Sequence, residues 1–381
     1  MELNLTQEQE MTKRVVRELA ANEIEPIAAE IDESARFPRE IIAKIAEAGL
    51  FGILIPPPFG GAGGSLLDLS LAIEGLSVAS AAIGWSFATN AVIQFMLMAF
   101  GNQQQKEKYL PALAKGKKIA AYGLVEPSGG TNWARTLRTR AVADGDHYVI
   151  NGSKCFTSNA GEADLYVIMT RTDPDKGMMG FSYIIIEKDT AGFTFGRKED
   201  KFGLRADPTG ELFFEDCLAP KENLLGEEGG GFRIFQAIAA LDCAVQASVC
   251  VGIAQAALDA SIRYTKERSV VEPDTLANFE NVQRAIADMT IAVEAARLIS
   301  YRAALPPQPK GPDPVGILSA MFCNQIAMDV TGKAVELHGG YGCTRDFSVG
   351  RYFRDAKTLS LQKSSEYVRS MVGKMILGIT A

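Results

Sequence analysis

The chain has 381 residues, more than one hydrophobic core usually organises, so two or three cooperating regions are expected. Its 47% hydrophobic and 22% charged residues are the proportions of an ordinary globular protein. A net charge of −7 without any Lys/Arg block argues against nucleic acid and anionic membrane as partners, and two histidines leave little material for a His-based triad or metal site. The six cysteines show no C-x-x-C spacing and suit reduced thiols in a cytosol. The first residues lack the basic start and apolar core of a secretory signal. No uncharged run reads as a membrane-spanning helix, because the longest is broken by Asp242, Gln246 and Gln255. A cytoplasmic protein without membrane insertion is expected.

Helices come first. Thr6 is placed to cap one, with Gln9 at the capping-box position, and Val15, Val16, Leu19, Ile24, Ile27, Ala28 and Ile31 keep helical spacing. Pro38 opens a second helix with Ile41, Ile42, Ile45 and Leu50 on one side. The Pro- and Gly-rich stretch 55–64 must be a loop, after which apolar helices run over Leu66–Leu76 and Trp85–Phe100 and a third over Gln103–Lys115, closed by Gly116. Between Lys118 and Pro220 the period becomes strand-like. Asp144-Gly145 marks a hairpin within Thr139–Asn151, and Leu165–Thr170, Phe181–Ile186 and Glu211–Phe214 are short β-rich runs. No β-α-β alternation appears, which disfavours a doubly wound nucleotide-binding fold. Beyond Gly229–Gly231, helical patterns span Phe232–Arg268, Asn278–Leu305, Pro314–Leu337 and Ser360–Leu377. Long helices with short connections make a bundle. The expected domains are therefore 1–117, helical; 118–228, β; and 229–381, a helical bundle.

Asp242 is the only charged residue between Arg233 and Asp259, in a run rich in Ala, Ile, Val, Leu and Cys. A carboxylate stripped of water resists ionisation and becomes a proton carrier near neutral pH. The alternative is a structural carboxylate on a helix's wet edge, or one tied to a cation from elsewhere in the chain.

Several separated motifs resemble one family. Tyr122-Gly-Leu-Val-Glu126-Pro127-Ser-Gly-Gly-Thr131-Asn and Asn151-Gly-Ser-Lys154-Cys-Phe156-Thr157-Ser158-Asn are similar to the two flavin-side signatures of the acyl-CoA dehydrogenases. So are Lys201-Phe-Gly-Leu-Arg205, Phe214-Glu-Asp216 with the following Leu225–Phe232 stretch, and Leu337-His-Gly-Gly-Tyr-Gly342 with Arg354-Asp-Ala-Lys357. Each is weak alone; their order and spread over nearly the whole chain carry the resemblance. It implies an α+β multidomain fold with an N-terminal helical domain, a β-barrel-like middle domain and a C-terminal four-helix bundle. It also implies a homotetramer (a dimer of dimers) with FAD between subunits. The implied reaction takes a proton α to the carbonyl of an acyl-CoA (or carrier-protein) thioester and a hydride from the β carbon, with an electron-transferring flavoprotein accepting the electrons.

The resemblance carries over residue by residue. Tyr122, Val125, Gly130 and Thr131 match positions along the isoalloxazine and ribityl chain, Val125 replacing the usual Thr. Phe156 matches a Trp packed on the flavin, Ser158 a Thr close to N5, and Thr157 lies between them. Glu336, Gly339 and Gly340 match the turn approaching the FAD of the adjoining subunit, although a Gly pair also serves as a plain helix cap. Arg268 matches an Arg reaching the FAD pyrophosphate across the dimer; the Ser269-Val-Val-Glu-Pro that follows departs from the family's Thr-Phe-Gly, and an exposed helix-terminal Arg is the other reading. Thr131, Cys243, Gln246 and Gln362 are the candidate substrate contacts.

The family's usual Glu-Gly-Thr base is missing after Lys357, where the chain reads Leu361-Gln-Lys-Ser-Ser-Glu366. A minority of the family carries its base on the long helix instead, and alignment on Gly252-Ile-Ala-Gln255 puts Asp242 there, with Gln246 one turn on and within its reach. Dehydrogenation with Asp242 as base is one reading. The others are a flavoprotein catalysing elimination, desulfination or oxygenation, and a non-catalytic partner subunit.

Overall fold

The computed structural model describes residues 5–130, 133–305, 314–363 and 366–379. It opens with helices α1 (Gln7–Leu19), α2 (Ala28–Ser34), α3 (Arg39–Glu47), α4 (Leu66–Ala79), α5 (Ala81–Phe100) and α6 (Gln103–Ala114). Thr6 and Gln9 form the expected capping box. The helical pattern running to Ile31 does not stay α-helical. A π turn over Ala20–Ile24 and a 3-10 turn over Glu25–Ile27 intervene, where Pro26 has no N–H for the α ladder. α4 and α5 are buried on most sides and form the centre of this unit.

The strands follow: β1 (Ala120–Gly123), then the short helix α7 (Trp133–Thr136), β2 (Arg140–Asp144), β3 (His147–Ser158), β4 (Leu165–Arg171), β5 (Phe181–Glu187), β6 (Phe193–Lys198), β7 (Thr209–Pro220) and β8 (Leu224–Leu225). They make one mixed sheet in the order β6-β7-β3-β2-β4-β5-β8, with β1 parallel to β4. The Asp144-Gly145 hairpin forms, with Asp144 opposite His147. β7 extends well beyond the expected Glu211–Phe214. β1 falls outside every expected strand, since Ala-Ala-Tyr-Gly lacks β-branched residues and is held extended by its pairing with β4.

Next come α8 (Gly231–Glu267), the hairpin β9 (Ser269–Val271) and β10 (Asp274–Thr275), then α9 (Glu280–Ala304), α10 (Val315–His338), α11 (Val349–Lys363) and α12 (Glu366–Ile376). The helix expected over Ser360–Leu377 is described as α11 and α12, either side of residues 364–365, which lie outside the described residues, and α11 begins ahead of the Arg354–Lys357 motif. α8 and α10 pack against each other and against both α9 and α11, while α8 also packs on α4 and α5. It is the spine that joins the first helices to the last. The approach is close at Gly252, where a Cβ would stand 2.5 Å from Ser77 Cβ and 2.6 Å from the Glu74 carbonyl oxygen. Against the sequence expectation, α5 and α8 are both long and apolar enough to cross a bilayer; both lie mostly buried among other elements.

Candidate active site

The wall of the site begins at β1. Gly123 faces Ile168, Lys154 and Leu212 inside the sheet, so Tyr122, its neighbour, points to the opposite side. There its hydroxyl lies 2.6 Å from that of Tyr183 on β5. After β1 the chain turns at Glu126, whose buried carboxylate accepts from the Arg138 and Thr139 amides, the Thr139 hydroxyl and Lys154 Nζ at 2.8 Å. Burial pushes Glu126 up, but the Lys154 charge and these hydrogen bonds hold it below the usual carboxylate range. The network pins the turn to β3, where the Cys155 amide donates to the Val125 carbonyl.

The next residue, Phe156, sits at a register shift of β3 with φ +52° and its side chain 63% exposed. A left-handed aromatic residue costs about 1–2 kcal/mol, and here the strain holds an apolar ring out of the core. Beside it the buried Thr157 hydroxyl has no hydrogen-bond partner among the described residues. Ser158 is fully engaged on two sides: it accepts from Trp85 Nε1 at 3.1 Å and donates to Asp207 Oδ2 at 2.9 Å. Lys201 and Thr209 also donate to that carboxylate oxygen. Trp85, Tyr183, Lys201 and Asp207 were not singled out as site residues; Lys201 alone fell within a quoted motif, and Tyr183 sits in a strand with no motif at all. Gly130, at φ +122°, has open space where a Cβ would stand.

Asp242 comes to this wall from α8. Its charge reaches both the Tyr122 and Tyr183 hydroxyls. Burial raises Tyr122 most, with the Tyr183 hydrogen bond opposing and the Asp242 charge adding; Tyr183 is raised by burial, then by Tyr122, and least by Asp242. Asp242 is only partly buried, which corrects the expectation of a carboxylate stripped of water. The apolar run around it is rich in alanine, and Ala237 and Ala240 are exposed. Cys243 is buried. Gln246 is buried too, but it does not turn to Asp242: its amide donates to the Leu359 carbonyl at 3.1 Å and to Asn324 Oδ1 at 3.4 Å. Its position one turn on lies on the face packed against α10 and α11. Thr131 lies outside the described residues, and of Gln362 only the helical backbone of α11 is described.

A second group gathers at the other end of α8. Arg268, Glu336, Gly339 and Gly340 share an open cleft of about 480 Å³ with Tyr264, Leu276, His338 and Tyr341. The Arg268 guanidinium lies 5.5 Å from the Tyr341 ring centroid, and Tyr264 stacks on His338 at 4.1 Å. Gly339 has φ +59°, and both glycines face open space. Ser269–Thr275 folds back as the β9–β10 hairpin.

These features fit a flavin: an aromatic ring held exposed by backbone strain, a buried Thr157 hydroxyl with no partner among the described residues, and open space at Gly130 beyond the Glu126 turn.

The three parts of the chain match the N-terminal, middle and C-terminal domain models of acyl-CoA dehydrogenase over residues 6–117, 121–217 and 229–377. The chain belongs to the acyl-CoA dehydrogenase family. It is 44% identical to the short-chain-specific acyl-CoA dehydrogenase of Clostridium acetobutylicum, over 98% of each chain. Butyryl-CoA dehydrogenase from Megasphaera elsdenii superposes with a TM-score of 0.95 at 34% identity, over 99% of this chain and 100% of that one. A chain in the structure described as the electron transferring flavoprotein of Acidaminococcus fermentans superposes equally well, at 38% identity over 99% and 100%.

Proposed function

We infer that this protein is a FAD-dependent oxidoreductase that dehydrogenates acyl-CoA thioesters, and we propose that Asp242 is its base. The observation that carries the assignment is the placement of Asp242. It is a partly exposed carboxylate on α8 whose charge reaches the Tyr122 hydroxyl, at the wall that continues through Val125 to the exposed Phe156. The position after Lys357 offers Gln362 and Lys363 where the family has its usual glutamate, and neither can serve as a carboxylate base.

Tyr122, Val125, Gly130, Phe156, Thr157 and Ser158 would hold the flavin ring, Phe156 by its face and Thr157 by its spare hydroxyl. FAD, when bound, supplies the hydride acceptor. Asp242 removes the proton α to the thioester carbonyl, and the wall of β1 and β3 sets the acyl chain between base and ring. An aspartate reaches about 1 Å less far than a glutamate, so the acyl group must lie closer to α8, and displacements of that size matter for rate. The names of the relatives favour a short acyl group.

Arg268, Glu336, Gly339 and Gly340 would serve the FAD of a second copy. Roughly 26 residues of helix separate Asp242 from Arg268, about 39 Å at 1.5 Å per residue, more than one extended dinucleotide spans. A symmetric oligomer, the tetramer of the family, brings the two ends together. An electron-transferring flavoprotein is the proposed acceptor, in keeping with the Acidaminococcus likeness. The six free cysteines suit the reducing cytoplasm.

Anaerobic mixing with short-chain acyl-CoAs should bleach the bound flavin. In Asp242→Asn the bleaching rate should fall by about 10²–10⁴-fold. Full-rate bleaching in that variant would overturn the base assignment.

A further inference from the structure

The Tyr122–Tyr183 pair is more than wall. Two phenols 2.6 Å apart carry two protons, and their mutual hydrogen bond uses one. The partner of the other proton follows from burial. Tyr183 is completely buried, and among the described residues Tyr122 is its one hydroxyl partner. If Tyr122 were the donor, the Tyr183 proton would be sealed away without an acceptor, at the desolvation cost of an orphaned buried group. The lower-energy arrangement has Tyr183 donating to Tyr122. The Tyr122 oxygen is then satisfied as acceptor, and its own proton points away from Tyr183. Tyr122 retains some exposure, and its hydroxyl lies within reach of the Asp242 charge.

We propose that Tyr122, oriented by Tyr183, presents its phenolic proton to the acyl group beside Asp242, so that the enzyme selects acyl thioesters carrying a hydrogen-bond-accepting oxygen. The proposal rests on the reading of Asp242 as the base at the acyl end of the site. The α and β carbons each give up a hydrogen in the reaction, so that oxygen belongs at the γ carbon or beyond. Tyr122 is the specificity-determining residue; Tyr183 is a positioning residue that fixes the direction of its proton. A straight alkyl chain in the same place would leave the Tyr122 proton without an acceptor, and the rejection of such chains comes from that unpaired donor.

The holoenzyme tests this with a matched pair of thioesters, 4-hydroxybutyryl-CoA and pentanoyl-CoA, which differ by a terminal hydroxyl in place of a methyl. The expected result is a kcat/KM ratio favouring the hydroxylated thioester roughly five- to tenfold in the native enzyme, the worth of one neutral hydrogen bond. Tyr122→Phe should bring that ratio to unity or below. Tyr183→Phe should lower it by a smaller factor, because Tyr122 keeps its proton but loses its orientation. If Tyr122→Phe does not retain flavin, the Tyr183→Phe ratio decides alone. A native ratio at or below unity overturns the proposal, as does a ratio unchanged in both variants. Asp242→Asn slows both thioesters equally and leaves the ratio intact, so a failure of the base assignment and a failure of this one are told apart.

Discussion

Glu126 and Lys154 look like punctuation in the sequence, a Glu-Pro turn and a lysine in a strand, yet they form a buried ion pair with side chains 4% and 0% exposed. Their role is to hold the turn that carries Val125 and Gly130 against the strand that carries Phe156. Removing one partner strands the other charge in the interior, so Lys154→Met should cost about 3–5 kcal/mol and lower the melting temperature and flavin retention together. The pH dependence has a definite sign. Glu126 has a folded value below its ordinary 4.5, so its contribution is complete above that pH and is lost as pH falls through the depressed value. Circular-dichroism melts of native protein and Glu126→Gln should therefore differ most near pH 7 and converge as pH falls below 4.5 through the depressed value. The candidate flavin-side residues were legible at this scale because the motifs that carry them are local in sequence. Asp242 was found from its isolation among apolar residues, but its solvation was misjudged, since alanine is as content on an exposed helix face as in a core. Tyr183 and Asp207 were invisible because what matters about them is a partner 61 or 49 residues away.

Between elements, Asp355 latches α11 to the turn at Lys201–Arg205. Its carboxylate accepts from the Leu204 amide at 2.6 Å, with Leu204 at φ +52° and Gly203 pressed so close to Arg354 that a Cβ would lie 2.2 Å from its carbonyl oxygen. Burial pushes Asp355 up to about 6 from 3.8, although the Leu204 amide and Arg351 pull the other way. A raised carboxylate favours the folded state while protonated and loses that advantage as pH climbs from about 4 through 6. Asp355→Asn keeps an acceptor and removes the titration, so its stability relative to native protein should rise across that window by on the order of 3 kcal/mol, as measured by denaturation at pH 4 and pH 7. Gly252 is the corresponding fixed point between α8 and α4, and Gly252→Ala should cost about 1–3 kcal/mol by overpacking, read as a lower melting temperature. Long helices such as α8 and α10 were legible from periodicity to within a residue or two, because a 3.6-residue pattern repeated many times leaves little ambiguity. β1 and the start of α11 were not, since pairing with β4 and packing against α8 and α10, rather than local preference, hold those residues in place.

For the whole molecule, the question is whether one chain makes a complete site. Asp242 and Arg268 stand about 39 Å apart on a single rigid helix, so no hinge within α8 brings them together. If two copies share each cofactor, every site draws Asp242 from one subunit and Arg268 from the other. Two defective variants should then repair each other. Asp242→Asn homo-oligomers keep flavin but lack the base; Arg268→Ala homo-oligomers keep the base but, having lost a charge-assisted contact, should hold flavin about tenfold more weakly. In a mixed dimer of these variants one site collects both lesions, while the other pairs an intact Asp242 with an intact Arg268. Co-expression with two different affinity tags and sequential purification isolates the mixed species. It should show close to half the native activity per subunit at flavin concentrations where each parent is nearly inactive. If Asp242 and Arg268 served the same site from the same chain, every site in the mixed species would carry one lesion, and its activity would not exceed the average of the two parents.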